Sequence, residues 1–379
     1  MKKLLAVLAT ALVATSVAAQ IKVGVTLAAT GPAASLGIPE KNVFALLPKS
    51  IAGTPVEFFI LDDATDPSAA VKNTHKLINE NMVDVVIGSS ITPSTLAMID
   101  VVFEKRTPLI ALAASARIVE PVDEKRAWVF KIPQNDSLVA GGIVEHMVKT
   151  GIKTVAYLGF SDAYGEGWYA EFSKLTQAAN IKIVGKEVYG RSDTSVTAQV
   201  LKLVSAAPEA ILIGAAGTPG VLPQATLVER GYKGKIYQTH GVANGDFLRV
   251  GGKLVEGALL PVGPNLVAEQ LPDSHPSKKV ALEFLQKYET AHGKGSRSLF
   301  AALAWDAWMV LDGAATRALK KAKPGTPEFR KALRDEIEAT KNLVATTGVY
   351  NYSPTDHAGL DARARVMVRV ENGTWKLVQ

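Results

Sequence analysis

The chain has 379 residues, of which 47% are hydrophobic, and it contains no cysteine. This length exceeds what one hydrophobic core usually organises and predicts two domains, while the absence of cysteine excludes disulfides and thiol catalysis. The formal net charge of +6 comes from basic residues interspersed with acidic ones, which argues against a nucleic-acid partner.

The N-terminus carries the features of a secretory signal peptide. Lys2 and Lys3 precede an apolar stretch, and small residues surround Ala18 and Ala19. This pattern predicts a signal at residues 1–19, cleavage after Ala19 and a mature protein outside the cytoplasm. A membrane anchor is the alternative, but the apolar stretch is shorter than the ~20 residues that a bilayer requires.

From Ile21 onward, short β-branched runs alternate with longer stretches of helical periodicity. The runs include IKVGVTLA, VEFFILDD, DVVIGSS, TPLIALAA, TVAYLGF, IKIVGKEV, AILIGAA and KIYQTHG. Repeated strand and helix in turn predict parallel sheets covered by helices, an α/β fold.

The alternation breaks at KIPQND (131–136) and at PVGPN (261–265). Each segment combines proline with turn-forming residues, which indicates a connection between two α/β lobes. Three helical patterns follow Asn265, and the tail ARARVMVRVENGTWKLVQ alternates around an Asn-Gly pair. That tail predicts a terminal antiparallel hairpin.

The segments after the predicted strands are rich in serine, threonine, glycine and alanine: GSSITPST, AASAR, GFSDAYGEG, GAAGTPG and THGVANGD. Open α/β sheets bind ligands beyond the carboxyl ends of their strands, where backbone amides and hydroxyls can contact a polar or anionic ligand. Helix capping explains any single such loop equally well. Five of them at successive strand ends favour a binding site.

Signatures of catalysis and of metal binding are missing from the sequence. The six histidines include no HxxxH or HExxH pair, and GFSDA (159–163) lacks the second glycine of a nucleophile elbow. There is no GxxxxGK phosphate loop, and the glycines of VGVTLAATGPAASLG have the wrong spacing for dinucleotide binding. We therefore expect no enzyme, no metal and no cofactor.

Several segments in order resemble one family. They are VGVTLAATGPAASLG, ILDDATDPSAAVKNTHKLI, DVVIGSS, TPLIALAAS, DAYGEGW, GRSDTSVTAQVLKL and GYKGKIYQTHG. Together they are similar to the periplasmic solute-binding proteins of branched-chain amino acid type, which serve ATP-driven (ABC) importers. The likeness spans nearly the whole chain after residue 19.

The resemblance implies two doubly wound parallel-sheet lobes joined by three hinge strands, with the ligand in the cleft between them. The expected lobes are residues 20–133 with 264–345, and residues 134–263 with 346–379. A third crossing is then expected near residues 346–349. Implied partners are a small-molecule ligand and a membrane permease, with the protein itself a monomer.

The resemblance also implies ligand-binding positions. The loops after two strands of the first lobe would hold a carboxylate through Ser90 or Thr92 and through Ala113, Ala114 and Ser115. Tyr164 matches a tyrosine that the second lobe closes onto the ligand. Leu36 stands where relatives often carry an aromatic residue, Ala216 and Gly217 where they place a tyrosine, and Phe300 is expected to form an apolar wall.

His240 departs most clearly from the family pattern, because relatives that bind amino acids place an acidic residue there to pair with the ligand's ammonium group. A buried ammonium without a counter-charge is costly, whereas histidine can donate to a carboxylate or, as imidazolium, pair with one. We expect an anion to pull the pKa of His240 upward. The alternative is a loop histidine bonded to the backbone.

These residues predict a binder of an aromatic or other bulky organic acid without an α-amino group, with Trp168 and Phe300 as stacking partners. Trp168 is otherwise a core residue. The alternatives are a binder of branched-chain or other amino acids or amides, a secreted α/β hydrolase, or a sensor module of the same fold.

Overall fold

The structure of the protein is a computed structural model that describes residues 19–378. The predicted signal peptide lies outside these residues except for Ala19. The described chain contains two large sheets with helices packed on them and one two-stranded ribbon. None of its helices is both long and apolar enough to cross a bilayer.

The first sheet is built from the N-terminal third of the chain. Its strands are β1 (Ile21–Leu27), β2 (Ser50–Ile51), β3 (Thr54–Asp62), β4 (Val85–Gly88), β5 (Leu109–Ala111) and β6 (Val129–Lys131). They lie in the order β2-β3-β1-β4-β5-β6, and every pair is parallel except β2 with β3.

The second sheet begins with β7 (Thr154–Phe160), β8 (Lys182–Tyr189), β9 (Ala210–Gly214), β10 (Lys235–Gln238) and β11 (Leu259–Val262). After the ribbon of β12 (Leu343–Val344) and β13 (Val349–Tyr350), the chain adds β14 (Val366–Glu371) and β15 (Thr374–Leu377). The order is β15-β14-β11-β10-β9-β7-β8, parallel from β8 to β11. The predicted hairpin at the Asn-Gly pair is confirmed, because β14 and β15 pair antiparallel around it.

Eleven α-helices connect and cover these strands in the described chain. They are α1 (Ala34–Phe44), α2 (Pro67–Asn79), α3 (Thr92–Glu104), α4 (Asp136–Lys149), α5 (Ala163–Ala178), α6 (Thr197–Ser205), α7 (Val221–Glu229), α8 (Gly245–Gly251), α9 (Lys278–His292), α10 (Leu299–Ala318) and α11 (Pro327–Glu338). The predicted fold class is confirmed: an α/β protein with two sheets that are mainly parallel.

Local sequence sets the beginnings of the helices that carry candidate site residues. Asp162 precedes α5, and its Oδ1 accepts a hydrogen bond from the Tyr164 N–H at 2.9 Å. Ser298 precedes α10, and its Oγ accepts from the Phe300 N–H at 3.1 Å. Such caps satisfy amides that the first helical turn leaves without partners. They therefore fix where α5 and α10 begin, and with that the positions of Tyr164 and Phe300 in the first turns of these helices.

The chain passes between the two sheets at the predicted proline-rich segments. Lys131 ends β6 of the first sheet and Asp136 begins α4, which packs against β11 of the second sheet. After β11, residues 264–270 form a 3-10 turn that leads to α9, and α10 then packs against α1 of the first sheet.

The last connection stays with the first sheet for longer than expected. The Tyr352 hydroxyl donates to the Lys131 carbonyl at 3.0 Å, and the Lys131 N–H donates to the His357 carbonyl at 2.9 Å. The chain joins the second sheet only at β14. The division into two lobes stays a prediction, and these contacts argue against placing residues 346–359 in the second lobe.

A buried carboxylate on α10 holds this last connection. Asp306 is fully buried and accepts hydrogen bonds from the N–H and hydroxyl groups of Thr346 and Thr347, at 2.6–2.9 Å. Burial raises the pKa of Asp306, while these donors act in the opposite direction. A buried carboxylate with this many donors ties the helix to the connection.

Candidate functional site

A small cavity of about 20 Å³ lies where the carboxyl ends of the two sheets face each other. Eight of the ten predicted site residues line it: Leu36, Ser90, Thr92, Ala113, Ala114, Tyr164, His240 and Phe300. They come from loops after strands of both sheets and from the helices α1, α3, α5 and α10, so the structure brings eight of the predicted positions together around one space.

Ser115 and Gly217 do not line the cavity. The Ser115 hydroxyl is buried and has no hydrogen-bond partner among the described residues. Gly217 lies where the second sheet meets α1: a Cβ on this glycine would be 2.8 Å from the Leu36 Cδ1 atom and from the Ser35 hydroxyl. The Thr218 N–H donates to that hydroxyl at 3.2 Å, so this contact joins the two sides of the cavity.

Trp168 also lies outside the cavity lining. It is fully buried on α5, with its ring centroid 5.7 Å from that of His240. The indole therefore supports the back of the His240 ring, and the expectation that it stacks on a ligand is replaced by a core position.

Tyr164 and His240 are joined through the end of β10. The Tyr164 hydroxyl lies 2.8 Å from the Thr239 Oγ1, and Thr239 Oγ1 also donates to the Ala215 carbonyl at 2.5 Å. Burial raises the pKa of Tyr164 far above its usual value, so the phenol remains protonated. Its ring is fixed before any ligand arrives.

His240 is 2% exposed, and its Nδ1 has no partner in the described part of the chain. Burial, assisted by the positive charge of Lys131, lowers the pKa of His240 to about 3. Burial and Lys131 thus act against an imidazolium at this position, and the expected upward pull of an anion on the pKa of His240 stays a prediction. A neutral imidazole can still donate one N–H to a ligand oxygen.

Arg191 is a cavity residue that the sequence reasoning missed. It follows β8 by two residues and lines the cavity with a side chain that is 11% exposed. Its Nε donates to Asp162 Oδ2 at 2.6 Å, and its guanidinium lies 4.2 Å from the centroid of the Phe160 ring. Its position just after a strand end, in GRSD, was the available signal.

Two buried ionisable side chains, Lys131 and Asp136, lie at the first connection between the sheets. The Lys131 ammonium is fully buried and donates to the Ala114 carbonyl at 2.6 Å. Burial lowers the pKa of Lys131 and raises that of Asp136, and each charge partly offsets this effect on the other. Lys131 therefore orients the loop whose Ala113 and Ala114 line the cavity.

The cavity lining carries a positively charged side chain and no negatively charged one. Arg191 is its one charged side chain, and none of the lining residues is acidic. Leucine, isoleucine, alanine, proline and phenylalanine side chains make up most of the remaining wall. Across residues 19–378, no group of three or more histidine or acidic side chains converges where a metal ion could bind.

Comparisons with known proteins agree with this architecture. The family model "Periplasmic binding protein" matches residues 20–374. An extracellular ligand-binding receptor from Rhodopseudomonas palustris HaA2 is 46% identical, with a TM-score of 0.92, over 95% of this chain and 100% of that one.

More distant relatives differ in what their names say they bind. A leucine-, isoleucine-, valine-, threonine- and alanine-binding protein from Pseudomonas aeruginosa is 27% identical over 63% of this chain and 65% of that protein, so the chain covers less than two thirds of that relative. A solute-binding protein of an ABC transporter from R. palustris, solved in complex with benzoate, is 20% identical with a TM-score of 0.80, over 95% of each chain. At that identity the likeness concerns the fold alone. The extent of the family match and of the 46% identical receptor shows that this chain belongs to the periplasmic binding protein family.

Proposed function

We propose that the protein is the periplasmic substrate-binding component of an ABC importer and that it captures an aromatic or similarly bulky organic acid without an α-amino group. The lobes close on the acid, and the closed form is presented to a membrane permease. Export through the N-terminal signal brings the protein to the periplasm.

The observation that carries the choice of ligand is the charge of the cavity wall: one arginine and no acidic side chain. A carboxylate would accept hydrogen bonds from Arg191, from the hydroxyl groups and from the neutral His240. An ammonium group would find no counter-charge in the wall, and a buried ion without one is strongly disfavoured.

The apolar part of the wall favours a ring or another bulky apolar group. Leu36, Leu112 and Phe300 contribute large apolar side chains to the lining. Burial of a ring of roughly 150 Å² contributes about 4 kcal/mol before the costs of binding. Polar contacts to the carboxylate must therefore supply much of a micromolar affinity, which corresponds to about 8 kcal/mol.

A matched pair of ligands tests the proposal. 3-Phenylpropanoate and phenylalanine share a ring and a carboxylate and differ by the α-ammonium group. We expect 3-phenylpropanoate to stabilise the purified mature protein by about 2.7 kcal/mol at one hundred times its Kd, measured by thermal unfolding. Phenylalanine and leucine should give little or no shift. A larger response to either amino acid than to 3-phenylpropanoate would overturn the proposal.

Arg191→Gln tests the arginine directly. Loss of charged hydrogen bonds should weaken 3-phenylpropanoate binding about 10- to 100-fold in isothermal titration calorimetry. Arg249→Gln is the control, because Arg249 forms a similar ion pair with Asp246 on an exposed helix. Equal affinities of the two variants would show that Arg191 does not bind the carboxylate.

A further inference from the structure

Glu40 is a buried acidic residue that stands directly behind the cavity wall. It lies on α1 with no exposed surface, and Ser90 is its hydrogen-bond partner. Its other carboxyl oxygen, Oε1, has no partner among residues 19–378. Asp63, at the end of β3, adds a repulsive negative field.

The protonation state of Glu40 determines whether the Ser90 hydroxyl can donate a hydrogen bond into the cavity or only accept one. Ser90 Oγ accepts from the Ala28 N–H at 3.0 Å and is hydrogen bonded to Glu40 Oε2. A hydroxyl has one proton and two lone pairs. If Glu40 is ionised, Ser90 donates its proton to Glu40 and offers the cavity only a lone pair. If Glu40 is protonated, Glu40 donates to Ser90, and the Ser90 proton is free.

Burial and the neighbouring charges both favour the protonated acid. An ionised carboxylate without a cation in an apolar surrounding is strongly disfavoured. Burial, reinforced by Asp63, raises the pKa of Glu40, although the Ser90 hydrogen bond acts against it. On α10, which packs against α1, the buried Asp306 is held by Thr346 and Thr347.

We propose that Glu40 is a positioning residue that stays neutral, donates its proton to Ser90 and so turns the Ser90 O–H into the cavity as a donor for the ligand's carboxylate. This inference rests on the proposed function. On this inference, the protonation state of Glu40 determines which ligand charge the site accepts. An ionised Glu40 would instead supply the counter-charge for an ammonium group, and Ser90 would accept a hydrogen bond from that ammonium group.

The first experiment needs no ligand. The infrared difference between the wild-type protein and Glu40→Gln should contain the carbonyl band of a protonated carboxyl group, present only in the wild type. In Ser90→Ala this band should shift, because the acid loses its hydrogen-bond acceptor. A difference spectrum that shows a carboxylate band in place of the protonated one would overturn the proposal.

The second experiment measures affinity for 3-phenylpropanoate by calorimetry. Glu40→Gln should bind within threefold of the wild type, since the amide N–H can donate to Ser90 as the acid does. An affinity at least tenfold higher would mean that a negative charge had been removed, and would overturn the proposal. Ser90→Ala should lose at least tenfold, and adding Glu40→Gln to it should change little further.

The two proposals can fail separately. If no aromatic carboxylate binds the wild type, the proposed function fails, while the infrared band still determines the state of Glu40. If 3-phenylpropanoate binds and the protonated band is absent, the role of Glu40 fails and the proposed function stands. Leucine binding together with a carboxylate band would contradict both.

Discussion

At the scale of single residues, His240 shows how burial can keep an imidazole neutral at a position where a charged one was expected. The side chain lies in the cavity wall, yet desolvation keeps it neutral far below its usual pKa. In the unfolded chain the imidazole takes up a proton below a pH of about 6.5, whereas the folded chain resists it down to a pH of about 3. Acid therefore favours unfolding through this residue.

His240→Gln removes this titration. Between pH 7 and pH 4.5, the free energy of unfolding of the wild type should fall by about 2–3 kcal/mol more than that of the variant. Urea unfolding at the two pH values measures the difference. His75→Gln, at an exposed position on α2, is the control and should follow the wild type. Parallel losses in the wild type and His240→Gln would contradict a neutral buried imidazole.

The residues of the site differ in how far the sequence could reveal them. Ser90, Thr92 and Tyr164 lie in segments that follow strands, so the rule that ligands bind at strand ends indicated those segments, and the family resemblance indicated the individual residues. Arg191 also follows a strand, but an arginine at such a position is normally a solvent-exposed residue, so its residue type offered no reason to place it in the cavity. Glu40 gave no signal, since an acid within a helical pattern is normally solvent-exposed.

At the scale of elements, Asp306 on α10 and the threonines after β12 act as one unit. Asp306→Asn would replace one acceptor oxygen by an amide donor that faces the N–H and hydroxyl of a threonine. We expect a loss of about 2–3 kcal/mol in the free energy of unfolding, measured by urea denaturation, because buried donors are left without partners.

Asp312→Asn is a matched control on the same helix. Asp312 is partly buried and makes no hydrogen bond within residues 19–378, so its substitution should change stability by less than about 0.5 kcal/mol. If the two variants were equally stable, the threonine contacts with Asp306 would carry no net stabilisation.

The elements themselves were largely predictable. Runs such as AILIG are buried along their whole length, as expected for central parallel strands. The contacts of the last connection with β6 were not predictable, because they depend on the Tyr352 hydroxyl and on backbone groups that leave no periodic pattern in the sequence.

At the scale of the whole molecule, the proposed capture of a ligand depends on how closely the two sides of the cavity meet. Gly217 has a φ of +68°, and a Cβ at this position would lie 2.8 Å from side-chain atoms of Leu36 and Ser35. A larger residue here therefore requires these two side chains to move.

Gly217→Ala should therefore weaken 3-phenylpropanoate binding at least tenfold by calorimetry. Gly231→Ala is the control, since Gly231 has a φ of +75° but no atom lies within 4 Å of its Cβ position. Both variants should lose about 1 kcal/mol of stability from the backbone conformation. Similar affinities of the two variants would show that closure tolerates a methyl group at the contact.

The packing of α1 on α10 has a consequence for how the protein is made. The first sheet is complete by Lys131, yet one of its covering helices begins only at Leu299. Such contacts between distant parts of a chain form slowly. A polypeptide still emerging from the ribosome therefore lacks α10, the helix that covers α1 in the folded protein. On the proposed secretory route, the chain would reach the translocation machinery unfolded.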